Sequence, residues 1–315
     1  MSALICGSMS YDTVMVFNDK FKHNIPVDEI DSTEPFDVHF MVPDLRRQFG
    51  GSAGNIAYNL KLLGETPYPM ATVGTDFDDY NTWFDSLSIP RDYIKIIEHS
   101  ATAQTFITMD MGDNKMTAFH PGATNYSQFH PIWQVDNIRL GTISYDSTES
   151  MVSHALQFTE KGIPFIFDPG HAVFQFDGDE LLKFVEQASW ILLNQKEWDV
   201  VQRRTNLTPE QVAQRVQGLI LTTGSDGATV FAQGTEYNIP AAQAKAVNDP
   251  VSCGDAFCAG LLYGLLKDAD WPTIGRIASL MGAIKVEHHG SQSHQFNLDV
   301  FKARFKKNFG YALII

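Results

Sequence analysis

Short apolar runs and longer amphipathic stretches alternate along most of this chain. Ala3 to Cys6 is an apolar run closing at Gly7, and Thr13 to Phe17 is rich in β-formers, so the chain is expected to open with strands and with Asp12 at their junction. From Lys20 to Pro43 the pattern is polar and irregular except for a strand candidate near Val38 to Val42. Gly50-Gly51-Ser52-Ala53-Gly54-Asn55 then opens a helix whose Ile56, Leu60 and Leu63 fall at helical spacing, with Gly64 as its stop. Further strands are expected near 69–73, 139–145, 163–168, 189–193 and 218–222, and helices near 76–88, 148–160, 179–187 and 207–216. Helices near 255–267 and 272–287 follow, and a last one carries Phe301, Phe305 and Phe309, whose spacing suits docking on a core better than a membrane surface. This rhythm predicts an α/β fold, a mostly parallel central sheet with helices on both faces.

Residues 102–119 break the rhythm. Gln104 to Thr108 and Lys115 to Phe119 flank Gly112-Asp113-Asn114 and read as a β-hairpin. With the strands near 13–17 and 38–42 the hairpin forms a small side sheet. No repeat, low-complexity tract or linker divides the chain, so the expectation is a single domain over 1–315 with a lid from segments at approximately 13–48 and 100–122.

Composition narrows the function. The chain has 315 residues, 44% hydrophobic, with a net charge of −14, and such a charge argues against nucleic-acid or membrane surfaces as partners. Three cysteines, Cys6, Cys253 and Cys258, are too few for a disulfide framework or zinc site and suit a reducing compartment, so a cytoplasmic location is expected. No apolar run approaches the ~20 residues that span a bilayer.

The candidate chemistry sits at corners where expected strands end, the place open α/β sheets hold ligands. Asn248-Asp249-Pro250-Val251-Ser252-Cys253-Gly254-Asp255 leads into an apolar helix. The first-turn amides at Ser252, Cys253 and Gly254 suit a phosphate or developing oxyanion, and Asp255 beside them can take a proton from a hydroxyl. Taken alone, a Gly-Asp pair is more often an ordinary N-cap. Cys253 is either a thiol made acidic by the anion hole or a small residue that fits. At Gly50-Gly51 the backbone is open to a ligand, and Asn55 and Asp12 can meet a polyol's hydroxyls, although a Gly-Gly turn is commonly just tight packing. Asn194-Gln195-Lys196-Glu197 can organise a Mg²⁺ hydration shell or simply cap a helix. Leu221 to Gly227 suits nucleotide phosphates or a hairpin turn. A Walker-type phosphate loop and a strand-linked G-x-G-x-x-G are both absent from the sequence.

In this order the corners resemble the ribokinase-like carbohydrate and nucleoside kinases, the PfkB family, from the first strand to about Gly290. Gly50 to Asn55 through Leu63-Gly64 matches the N-terminal signature, Asn194 to Glu197 the N-x-x-E motif, Thr222 to Gly227 the nucleotide turn, and Asp249 to Asp255 the C-terminal signature. The resemblance implies a three-layer ribokinase-like fold and ATP-dependent phosphorylation of an alcohol, with Asp255 as base and Ser252, Cys253 and Gly254 as anion hole. It places the acceptor at Asp12, Gly50, Gly51 and Asn55. It places ATP at Asn194, Thr223, Gly224 and Gly227, with Ala283, Val286 and His289 walling the adenine. Mg²⁺ would be held through water by Glu197, and a monovalent cation, K⁺, is expected near Asp249 and Gly290-Ser291. Val251-Ser252 replaces the usual Thr-Gly. If position 252 needs positive φ, a serine there costs about 1–2 kcal/mol.

Thr117 to Ala123 and Phe167-Asp168-Pro169-Gly170 look most like the adenosine-kinase-like members, and Phe119, with Phe106 or Phe17, is a candidate to stack on a nucleobase. The expected reaction is nucleoside phosphorylation at the ribose 5′-hydroxyl, adenosine first. A sugar kinase for ribose or fructose and a catalytically weak nucleoside-binding protein are the alternatives. The side sheet would leave the chain a monomer or pair it as a homodimer through the lid.

Overall fold

The computed structural model of the protein describes residues 2–25, 37–112 and 114–315. The chain enters through β1 (Ser2–Cys6), β2 (Ser10–Val16) and β3 (Asp44–Gly50), then α1 (Ser52–Leu62), β4 (Thr66–Val73), α2 (Asp78–Leu87) and β5 (Ile94–Ile96). β6 (Ala103–Met109) and β7 (Lys115–His120) form the hairpin, and β8 (Leu140–Ser144), α3 (Thr148–Lys161), β9 (Phe165–Asp168), α4 (Gly178–Gln187), β10 (Trp190–Asn194), α5 (Gln195–Thr205), α6 (Pro209–Ala213) and β11 (Gly218–Thr222) follow in alternation. β12 (Ala228–Ala232) and β13 (Thr235–Ile239) precede α7 (Cys253–Leu266), α8 (Trp271–Val286) and α9 (Leu298–Phe309).

Nine strands form one sheet in the order β13-β12-β11-β10-β9-β8-β1-β4-β5, parallel from β11 to β5 and antiparallel at β12 and β13. Because alternate residues of a strand face opposite sides, Ala3 and Ile5 of β1 join one core with α1, α7, α8 and α9, while Leu4 and Cys6 join a second with α3, α4 and α5. Burial on both faces explains why these strands are continuous apolar runs. Phe301 and Phe305 are fully buried, so α9 docks on the first core.

A second sheet, β3-β2-β6-β7, stands over the carboxyl ends of the parallel strands. It branches off directly after β1, where Ser8 N donates to Tyr145 O at 2.9 Å and Ala53 N to Ser8 O at 3.0 Å. The double glycine makes that branch possible. A Cβ on Gly51, which has φ +85°, would lie 2.5 Å from Met9 Cα, and one on Gly50 would meet the Asp12 carboxylate.

Four local expectations change. Residues 38–42 form no strand: β3 begins at Asp44, opposite Val16 at the end of β2, and Phe40 packs on Phe17 and Phe21 instead. Asp12 lies within β2, paired with Gln48 and Thr105, rather than at a junction. The helix expected over 207–216 shrinks to Pro209–Ala213, while α5, whose mean character is polar, runs a full eleven residues from its Asn194 cap. The turn Thr223 to Gly227 is a nucleotide-corner candidate and a hairpin at once, since it joins β11 to antiparallel β12. Asp113 of the β6–β7 turn and residues 26–36 of the expected lid lie outside the described residues.

Candidate active site

The carboxyl ends of β1, β8, β9, β10 and β11, the small sheet and the mouth of α7 enclose a cleft of about 610 Å³. Asp12, Gly51, Asn55, Phe119, Asn194, Glu197, Ser252, Gly254 and Asp255 all line it, and of the corner Leu221 to Gly227 only Thr222 reaches it. An open parallel sheet brings its strand ends and crossover loops together there.

Asp255 stands in the first turn of α7. No side chain caps this helix, and Cys253 N reaches Pro250 O only at 3.4 Å, so the first-turn amides face the cleft with the positive end of the helix dipole. A Cβ on Gly254 would meet nothing within 4 Å, which leaves that approach open to a ligand. Ser252 is in the left-handed region at φ 60°, ψ 16°, so the serine carries the strain anticipated from its replacement of a glycine. Its hydroxyl compensates by accepting from Asn55 Nδ2 at 3.0 Å and sharing a hydrogen bond with Ser291 Oγ at 2.9 Å.

Asn55 was expected to meet sugar hydroxyls, but its side chain is engaged within the protein. Nδ2 donates to Asp255 Oδ2 at 2.9 Å, and Oδ1 accepts from Gln292 Nε2 at 3.0 Å. Gln292 is held in turn by Trp83 Nε1 at 2.9 Å and contacts Tyr80 OH at 2.6 Å. Asn55 thus orients the candidate base. Enclosure of the Asp255 carboxylate pushes its pKa up to about 6, against the hydrogen bonds from Asn55 and Ser252.

Three further carboxyls ring the cleft. Burial raises Asp12, whose Oδ1 accepts from Ser10 Oγ at 3.1 Å. Burial, with the charges of Glu197 and Asp255, pushes Asp168 well above the usual carboxylate range, and burial also raises Glu197. Glu197 and Asn194 form a capping box, Asn194 N to Glu197 Oε2 at 2.8 Å and Glu197 N to Asn194 Oδ1 at 3.0 Å, so the capping role is real and coexists with a place on the cleft wall. No set of three or more His, Cys, Asp or Glu among the described residues is grouped to chelate an ion directly. Asp168, on which the charges of Glu197 and Asp255 bear, instead fits with them a hydrated Mg²⁺ that arrives with phosphates.

Other expected residues sit elsewhere. Cys253 is not acidified: burial pushes its thiol up to about 11. Thr223 N donates to Gly227 O at 2.9 Å, closing the turn, and Thr223 and Gly224 are exposed at the rim beyond Thr222. Ala283 is buried in the core, and Val286 O accepts from the backbone N–H groups of Asn248 and Asp249 at 2.8 and 3.1 Å. His289 and Asp249 line an adjoining cavity of about 730 Å³ that shares Asp12, Pro250 and Val251 with the cleft. A monovalent ion at Asp249 does not fit, because the ammonium of Lys285 is already 2.9 Å from Asp249 O and 3.6 Å from its Oδ2. Phe17 is buried against Phe21 and Phe40, away from the cleft, whereas Phe119 lines the cleft with its ring edge-on to Tyr145 at 6.0 Å.

Asp168, Ser10, Thr105, Tyr145, His171 and Lys285 carry no role in the sequence reading. Asp168 had a signal, an acid closing the apolar run Phe165 to Phe167. Lys285 had another, a lone cation in the apolar helix Met281 to Val286.

A cleft that sets a candidate base and an uncapped helix start beside acidic side chains suits a phosphotransferase. Residues 12–296 match the pfkB family carbohydrate kinase model, and the chain belongs to that family. It is an ATP-dependent kinase with a ribokinase-like fold and a second, lid-forming sheet. It is 26% identical over 291 residues to the nucleoside kinase of Methanocaldococcus jannaschii, covering 90% of this chain and 94% of that one. The structure of Burkholderia thailandensis nucleoside kinase in complex with inosine superposes with a TM-score of 0.90 at 40% identity, covering 99% of this chain and 100% of the other. The ribokinase of Thermotoga maritima shares the fold, with a TM-score of 0.79 at 19% identity over 96% of this chain and 99% of that one. No helix among the described residues is long and apolar enough to cross a membrane.

Proposed function

We propose that the protein transfers the terminal phosphoryl group of ATP to the 5′-hydroxyl of a nucleoside, with adenosine the leading acceptor. The observation that carries this reading is the juxtaposition of Asp255 and the uncapped start of α7 with Asp12 across one cleft. Asp12 and Ser10 receive the ribose hydroxyls, which hold the 5′-oxygen toward Asp255. As that oxygen attacks, Asp255 takes its proton, and the first-turn amides of α7 receive the negative charge of the phosphoryl oxygens. Asn194 and Glu197 stand at the end of the cleft suited to ATP, and Asp168 with Glu197 would hold the hydration shell of Mg²⁺. Bound there, that ion supplies neutralisation of the phosphate charge that four carboxyls would otherwise repel. Phe119 and Tyr145 offer an aromatic wall for a base, and this, with the inosine-bound relative, favours a nucleoside over a free sugar.

ADP release from ATP·Mg²⁺ is measured with adenosine, inosine, other nucleosides, ribose and fructose in parallel. Nucleoside turnover that falls at least about 10³-fold in Asp255→Asn, with nucleoside affinity retained, is expected. Turnover with sugars alone would overturn the acceptor. Tight nucleoside binding with no turnover would show a binding protein.

A further inference from the structure

Lys285 lies one residue before the end of α8 and is wholly inaccessible to solvent. Its Nζ donates to Asp249 O at 2.9 Å and to His288 O at 3.4 Å, with Asp249 Oδ2 at 3.6 Å. A buried ammonium is costly unless it is coordinated, and here carbonyl oxygens and one carboxylate surround it. That is the donor set of a weakly hydrated monovalent cation, whose shell of water is replaced by carbonyls. The same donors belong to the two chain segments that shape the anion hole. Asp249 Oδ1 accepts from Val251 N at 3.0 Å, its Oδ2 accepts from Gly290 N at 2.9 Å, and Ser252 Oγ meets Ser291 Oγ.

We propose that Lys285 is a tethered substitute for a monovalent cation: its ammonium fastens residues 249–254 to the 288–291 turn in the geometry that receives the transferred phosphoryl group, and makes the chain independent of potassium. This rests on the kinase reading above. Its charge reaches the site, since Lys285 lowers the proton affinity of both Asp255 and Cys253. Burial lowers the pKa of Lys285 itself, while Asp249 works in the opposite direction and favours the charged form. Lys285 is buried and does not line the cleft, so it is a positioning residue.

The test compares KCl with choline chloride at equal ionic strength. Wild-type turnover should agree within about twofold between the salts. Lys285→Met should lose about 10²-fold in kcat with little change in KM, the size of effect expected when a reacting geometry slips. Lys285→Ala leaves room for an ion, so KCl or NH₄Cl should restore at least about tenfold of its loss, and LiCl or tetramethylammonium chloride should not. A wild type that needs K⁺, or a Lys285→Met enzyme with normal kcat, would overturn the proposal. Hydrogen exchange of the 250–254 amides without substrate separates this from failure of the kinase reading. Exchange should be salt-independent in the wild type, faster in Lys285→Met, and slowed again by KCl in Lys285→Ala. Should no acceptor be phosphorylated, unchanged loop exchange in the variants would still refute the role of Lys285, and the pattern above would still support it.

Discussion

Asp255→Asn should make the protein more stable while abolishing its chemistry. The enclosed carboxyl holds its proton up to about pH 6, against an ordinary 3.8 in the unfolded chain. Between those values the folded state binds more protons than the unfolded one, so stability falls as pH rises and the deficit is complete above pH 6. At ~1.36 kcal/mol per tenfold change in proton affinity, the full deficit is about 3 kcal/mol, of which about 1.6 kcal/mol has developed at pH 5. An asparagine does not ionise and avoids it. Its carbonyl keeps the hydrogen bond from Asn55, and its amide can donate to the Ser252 hydroxyl that Asn55 also contacts. For a chain of this length, with unfolding entropy of ~2.1 cal/mol/K per residue, about 3 kcal/mol corresponds to a Tm higher by about 4–5 °C. Thermal and urea unfolding of both proteins, free of ligand, at pH 5 and pH 8 measures the difference. A variant no more stable than the wild type at pH 8, or a difference that does not grow from pH 5 to pH 8, would refute the electrostatic account of the site.

The base must be ionised to act, so kcat/KM should rise with pH through about 6; Asn55→Ala removes a donor that lowers the Asp255 pKa, and should move that limb to higher pH while costing about 1–3 kcal/mol of stability, read by a pH profile and by urea unfolding. Gly51→Ala places a Cβ 2.5 Å from Met9 Cα and Ser8 O at φ +85°, and a loss above about 3 kcal/mol is expected from its denaturation midpoint.

The parallel core was readable because its strands are buried on both faces and their apolar runs are unbroken. β3 was not, because Asp44, Arg46, Arg47 and Gln48 sit on the edge of a small sheet with solvent at hand, and only its register with β2 makes it a strand. The same limit applies at the C-terminal corner. Glycine and aspartate before an apolar helix marked a candidate anion site, yet the left-handed backbone of Ser252 is set only in the folded loop.

What the sequence determined by itself was the alternation of elements, the corners able to host phosphate chemistry, and the acidic residues that such chemistry needs. Those features are local, and spacing and residue type encode them. The tertiary structure decided which side chains meet. Asn55 and Asp255 are 200 residues apart and share a hydrogen bond, so a residue expected at the substrate also reaches the candidate base. Lys285 reads as an oddity in an apolar helix until the 249–254 loop folds over it and its ammonium finds two carbonyls. Proton affinity and ion coordination depend on distances and on the exclusion of water, and only the assembled fold sets either.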